Sequence, residues 1–213
     1  MGSFKIGILG HIKGKVGTVV GSTWRGIEYV RAAPGERSTP PSQAQVIQSA
    51  KFTMVAGFVR SMKSFLEISY KFAAKKMTGR NAAAGQVLKN AVTGSYPSFG
   101  IDYSKVEVSA ENGLPNGGSP AAASTDPGKI NFTWTDNSGE EQAKETDKAL
   151  VVAYCESLKK TVYKTAAAER SDISAELLVP AFSGLPAHTW IVFISENGKL
   201  VSASHYTGMV NIQ

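Results

Sequence analysis

The residues richest in chemical capacity crowd into residues 10–37. Five internal glycines, five basic residues after His11 and the aromatics Trp24 and Tyr29 share that span. Glycines beside lysines suggest a phosphate-cradling loop, in which backbone N–H groups hold a nucleotide and a hydroxyl holds magnesium. The nearest approach is Gly10-His11-Ile12-Lys13-Gly14-Lys15-Val16. Three residues stand between its glycines where the loop needs four, and Val16 replaces the hydroxyl, so a nucleotide-hydrolysing loop is rejected. What survives is cationic and aromatic chemistry. Lys13, Lys15, Arg25 and Arg31, with Lys75, Lys76 and Arg80 further on, are candidate contacts to phosphates, and Trp24 or Tyr29 to stacked bases. For the last three cations the bland reading is a favourable charge at a helix carboxyl terminus.

The other reactive types are dispersed. His11, His188 and His205 lie far apart, Cys155 is alone, and no two of them show a zinc spacing. Cys155 sits in an apolar run and reads as an inert buried thiol. Glu140-Glu141 and Glu145 fall in a polar loop, where solvated carboxylates are the default rather than an acid–base pair. No Gly-x-Ser-x-Gly elbow occurs. No catalytic residue, metal ligand, cofactor or small-molecule substrate is therefore expected, and the chain is read as a non-enzyme.

The elements that must position these residues follow from pattern. Residues 4–9, 15–20 and 24–32 are short β-prone runs between glycines, and 16–20 with 27–31 predicts a hairpin across Gly21-Ser22-Thr23. Pro40-Pro41 ends this arm, and Ser42-x-x-Gln45 reads as a helix capping box. Phe52, Val55, Val59, Met62 and Leu66 then recur at spacings of three and four, with Phe58, Phe65 and Phe72 as a second ridge. That pattern predicts one long amphipathic helix to Phe72, bent near Gly57, with a wide apolar face. Asn81 should cap a second helix through Ala84, Val87, Leu88 and Val92, stopped by Gly94 and Pro97 and antiparallel to the first. Beyond Pro97, strands are expected at 103–109, 130–134, 149–155, 161–165, 175–179, 189–194 and 200–206. A loop rich in Gly, Pro, Ser and Asn should span 111–128, and Glu196-Asn197-Gly198-Lys199 should form a tight turn. The fold class is α+β: a glycine-rich β-arm plus a helical hairpin (1–98), followed by an all-β sandwich (99–213).

Charge divides the same way. Residues 1–100 hold 14 Lys+Arg against three acids, and residues 101–213 hold nine against 14. The halves differ in partner, and the basic half of one copy can meet phosphates or the acidic half of another. One cysteine excludes a disulfide framework. No apolar run approaches the ~18 residues of a spanning helix, and residues 4–9 are too short for a secretory signal. A cytoplasmic location, or one inside a released particle, is expected.

Two resemblances add to this. Trp134, Ala153-Tyr154, Gly184-Leu185-Pro186 and Trp190, Val192 and Ile194 give residues 101–213 a pattern similar to fibronectin type III or immunoglobulin-like modules. The whole chain resembles an uncharacterised family of Bacteroidota proteins, DUF6266. The residues carrying this are Gly14-Lys15-Val16-Gly17, Ser22-Thr23-Trp24-Arg25-Gly26, Arg31, Ala44-Gln45, Phe52, Asp102-Tyr103-Ser104 and Ser202-x-Ser204-x-Tyr206-x-Gly208. Gln48-Ser49 departs from the family's frequent Gln-Arg, so no role for that arginine carries over. The resemblance implies a lineage and no activity.

The function expected first is a structural protein that self-associates into a homo-oligomeric particle, filament or virion-like assembly, in contact with nucleic acid. Trp24, Tyr29, Phe52, Phe58 and Phe65 are the candidate subunit interface. The alternatives are a sequence-independent nucleic-acid-binding protein, and a glycan- or protein-binding module acting through the 111–128 loop.

Overall fold

The computed structural model describes residues 3–4, 12–24, 26–35, 39–73 and 77–213, so what was expected of His11, Arg25, Lys75 and Lys76 lies outside the described residues. The chain divides into two compact units, Met1–Gln43 and Ala44–Gln213.

In the first unit β1 (Ser3–Phe4), β2 (Ile12–Val16), β3 (Val19–Trp24) and β4 (Ile27–Ala32) form an antiparallel sheet in that order. The expected hairpin exists but turns elsewhere. β3 and β4 pair from Val19↔Ala32 to Trp24↔Ile27, so the chain reverses around Gly26 and Gly21-Ser22-Thr23 lies within a strand. Gly21 is there because β2 comes close: a Cβ at this position would run into the Ile12 carbonyl. The glycine serves close backbone approach, not a turn.

The second unit begins with helices α1 (Gln43–Ser61), α2 (Lys63–Ser69) and α3 (Gly79–Asn90). The long helix breaks at Met62 rather than bending at Gly57. α3 is capped by Thr78, whose hydroxyl accepts from the Asn81 N–H, so Asn81 sits inside the first turn and is not the cap. A short hairpin of β5 (Val92–Ser95) and β6 (Ser98–Ile101) follows.

The remaining strands are β7 (Gly118–Ala123), β8 (Lys129–Thr135), β9 (Lys148–Cys155), β10 (Lys160–Lys164), β11 (Ser174–Leu178), β12 (Pro186–Ile194) and β13 (His205–Asn211). They form two antiparallel sheets, in the orders β10-β9-β12-β13 and β11-β8-β7. β9 and β12 are apolar on both faces, and this sets the layering. Ala149, Val151, Ala153 and Cys155, with Ala187, Ile191 and Phe193, pack against Ile130, Phe132, Trp134, Ala175 and Leu177 of the other sheet. The alternate residues Leu150, Val152 and Tyr154, with Trp190 and Val192, pack against Val55, Phe58, Val59, Met62, Phe65 and Leu66. The helices, which the sequence groups with the amino-terminal strands, thus bury their apolar stripe on the central sheet.

Other expected elements differ. The last strand runs His205–Asn211 rather than 200–206, with Val201 and Ser202 only in isolated bridges, and Val92 opens β5 instead of extending the second helix. Residues 103–109 are not a ladder strand: Asp102 accepts from the Ser104 N–H and hydroxyl and starts a short 3-10 turn, Tyr103–Lys105. The following backbone bonds side chains instead, with Val108 N–H donating to Ser204 Oγ and Val108 O accepting from Ser69 Oγ. The 111–128 segment is not all loop, because β7 pairs with β8. The turn at Glu196-Asn197-Gly198-Lys199 is present, closed by Ser195 N–H to Leu200 O and an Ile194↔Val201 bridge.

Arg170 is fully buried beside the inter-sheet core. Its Nε donates to Asp147 Oδ2 (3.2 Å), Nη1 to Asn137 Oδ1 (2.6 Å) and Nη2 to Pro115 O (3.0 Å), while the guanidinium lies 4.3 Å from the Phe193 ring centroid. Each of its three nitrogens has a hydrogen-bond partner, one of them a carboxylate, the condition under which a buried charge persists. Among the described residues, no helix is long and apolar enough to cross a membrane.

Candidate functional site

Strand alternation decides what the first unit presents. Residues directly opposite each other across an antiparallel pair point to the same face, as do residues two apart along a strand. Lys15↔Val20 and Val20↔Arg31 make one row across the sheet. Ser22↔Tyr29 and Trp24↔Ile27 are the next rows, and Lys13 stands two residues before Lys15. Lys13, Lys15, Arg31, Trp24 and Tyr29 therefore share one face. All five are exposed. Successive rows lie about 7 Å apart, and Lys15 and Arg31, two strands apart, about 10 Å. The opposite face carries Ile12, Val16, Val19, Val30 and the acid Glu28. Among the described residues the first face holds no acid.

The described residues of the first unit enclose almost no interior. Among them only Gly21 is buried. Every residue of β4 is exposed, with Ile27 at 59% and Val30 at 54%, and among the described residues β4 pairs on one side only. Of the other expected interface residues, Trp24 and Tyr29 are on the exposed face, and Phe52 is 55% exposed on α1. Phe58 and Phe65 are not on the surface. They are buried in this chain's own core, Phe58 edge-on to Tyr154 at 4.9 Å and Phe65 near Tyr163 at 5.6 Å. Their apolar ridge has the central sheet as its partner and is not available to a second subunit.

Arg80 belongs to the second unit. It lines a cleft of about 420 Å³ between α1 and α3, with Phe52, Ala56, Val59, Ala84 and Leu88 as apolar walls and Arg60 at the rim. The cleft is of ligand-pocket size.

A third cluster joins residues too distant in sequence to be associated by pattern. Tyr103 stacks on His188 at 4.0 Å, His188 Nδ1 hydrogen-bonds the Tyr206 hydroxyl at 2.8 Å, and Trp190 completes the group. It brings together Asp102-Tyr103-Ser104 and Ser202-x-Ser204-x-Tyr206-x-Gly208. Ser109 Oγ donates to Ser202 O, and Gly208 O accepts from Thr189 Oγ1. Burial pushes the Tyr103 phenol upward, helped by Tyr154 and Glu156, and pulls the His188 pKa below its ordinary value. Neutral phenols stacked on a neutral imidazole tie the 103–110 segment to the sheet. They offer no activated nucleophile at neutral pH.

Cys155 is buried, with Sγ 3.1 Å from Ser157 Oγ, and Glu140, Glu141, Glu145 and His205 are exposed. Among the described residues no group of three His, Cys, Asp or Glu side chains is placed to hold a metal ion.

No curated protein matches the chain. A family model described as a family of unknown function matches residues 11–208, which include both the cationic face of the first unit and the tyrosine–histidine cluster of the second. The chain belongs to that family, DUF6266.

Proposed function

We propose that the protein is a non-enzymatic structural protein that self-associates, with β4 as the strand to which a neighbouring copy adds. The observation that carries this reading is a first unit with only Gly21 buried among its described residues and a fully exposed edge strand. Domains of about 40 residues generally need a disulfide, a metal or oligomerisation to hold. The unit contains no cysteine, and an unprotected apolar edge is a template for strand pairing. A two-fold axis perpendicular to the sheet pairs β4 with its own copy antiparallel and keeps equivalent faces on the same side. Contacts between the basic first hundred residues and the acidic remainder then extend the assembly into rings, filaments or particles.

In this reading the two sheets of the second unit act as an immunoglobulin or fibronectin III-like module displayed outward. Trp134 and Trp190 at the two apolar layers support that comparison. The protein works in the cytoplasm or within a released particle of a Bacteroidota source. Light scattering tests the reading: purified protein at high concentration and low salt should be oligomeric, and a monomer throughout refutes it.

A further inference from the structure

The first unit's exposed face combines two chemistries that are each common alone and informative together. Lys13, Lys15 and Arg31 supply positive charge with no acid among the described residues of that face, and Trp24 and Tyr29 lie on the same surface, 46% and 42% exposed. The aromatic residues occupy adjacent rows and neighbouring strands, Trp24 opposite Ile27 and Tyr29 opposite Ser22. The cations flank them, Lys15 and Arg31 in the row built on Val20.

A solubilising surface needs no large aromatics, and an apolar core face would not carry three cations. Phosphates spaced along a strand, with unpaired bases beside them, satisfy both sets, because charge follows the backbone and any base can stack on an aromatic ring. Duplex DNA hides its base faces inside the helix and would meet only the cations. We infer that this face binds single-stranded nucleic acid without sequence preference. The inference does not rest on self-association, since one copy supplies every residue named.

Fluorescence anisotropy with a labelled oligothymidine tests it. Three phosphate contacts on a single strand give a log–log salt slope near −2, hence about a twentyfold loss of affinity between ~50 and ~200 mM salt. Trp24→Ala should weaken binding about tenfold or more while Trp24→Phe retains most of it. Lys13→Glu with Lys15→Glu should abolish it. Tyr29→Ala gives an independent reading should the Trp24 variant fold poorly. Lys63→Glu with Lys89→Glu, exposed charges on α2 and α3, should change affinity less than twofold. Heparin, a polyanion without bases, should compete less well than unlabelled oligothymidine. Absence of binding in ~50 mM salt overturns the inference. So does equal competition by heparin together with no effect of Trp24→Ala, which would mark a general polyanion surface. Light scattering on the same samples separates the two readings: a monomer that binds refutes assembly alone, and an assembly that does not bind refutes this inference alone.

Discussion

Arg170→Met should be among the most destabilising single substitutions in the second unit. The side chain is fully buried, and its partner Asp147 is 1% exposed. Methionine keeps much of the volume and the contact with Phe193 but removes the donors to Asp147 Oδ2, Asn137 Oδ1 and Pro115 O. Asp147 would keep one bond, from the Lys144 N–H at 2.8 Å, while its Oδ1 already lacks a partner. Breaking a buried pair in this way costs about 3–5 kcal/mol, because an uncompensated charge is left behind. The orphaned carbonyl and amide oxygens bring the expected loss to the upper part of that range, a large share of a typical stability of about 5–15 kcal/mol. The partner substitution sharpens the test. In Arg170→Met with Asp147→Leu both charges are gone, and the double variant should recover at least half of the loss. Urea unfolding followed by circular dichroism measures both. A loss under about 1 kcal/mol for Arg170→Met, or a double variant less stable than the single one, refutes the view that the pair is held by mutual compensation.

Ile27→Lys with Val30→Lys puts charge on the β4 edge and should shift light scattering towards monomer. The two side chains are more than half exposed and each would bury about 1 kcal/mol or more of apolar contact per copy, so dimer affinity should fall by two or more decades. An unchanged oligomer would show that β4 is not the interface. Gly21→Val should separate β2 from β3, since even a Cβ meets the Ile12 carbonyl; limited proteolysis should cut the first unit sooner and leave the second unit's unfolding midpoint in place. The pKa of His188 is depressed by burial, so the unfolded chain takes up a proton the fold resists. Its contribution is complete above the unfolded value near 6.5 and is lost as pH falls below it. The urea midpoint should therefore fall between pH 7 and pH 5, and His188→Gln should reduce that fall; an equal slope in both proteins refutes it.

The three- and four-residue spacing of the α1 ridge was legible, and so were most strands, because both periods survive without knowledge of the tertiary structure. The layer that lies across from the ridge has its own signal in the sequence. Residues 149–155 and 190–194 are continuous apolar runs, the mark of strands buried on both faces. Read that way, β9 and β12 need a layer on each side, and Phe58 and Phe65 become core. β7 was hidden by composition: Gly118, Ser119 and Pro120 read as loop, and its register shifts between Gly118 and Ala121. Type alone does not single out Thr78 as the cap, because Asn81, three residues on, is equally suitable. Lys13, Lys15, Arg31, Trp24 and Tyr29 could be picked by type. Their common face needed the β2–β3–β4 register, since misplacing the hairpin turn by a few residues changes which side chains oppose each other. The contact of Tyr103, His188 and Tyr206 depends on three separate segments, and no local pattern encodes it.

Hydrogen–deuterium exchange of the β4 amides, Ile27–Ala32, at two protein concentrations tests self-association most directly. If a neighbouring copy adds to β4, the β4 amides that point away from β3 should exchange quickly in dilute protein and gain protection as concentration rises, while β9 and β12 stay protected throughout. Exchange at β4 that is fast and independent of concentration, in samples shown by light scattering to be oligomeric or not, contradicts the account.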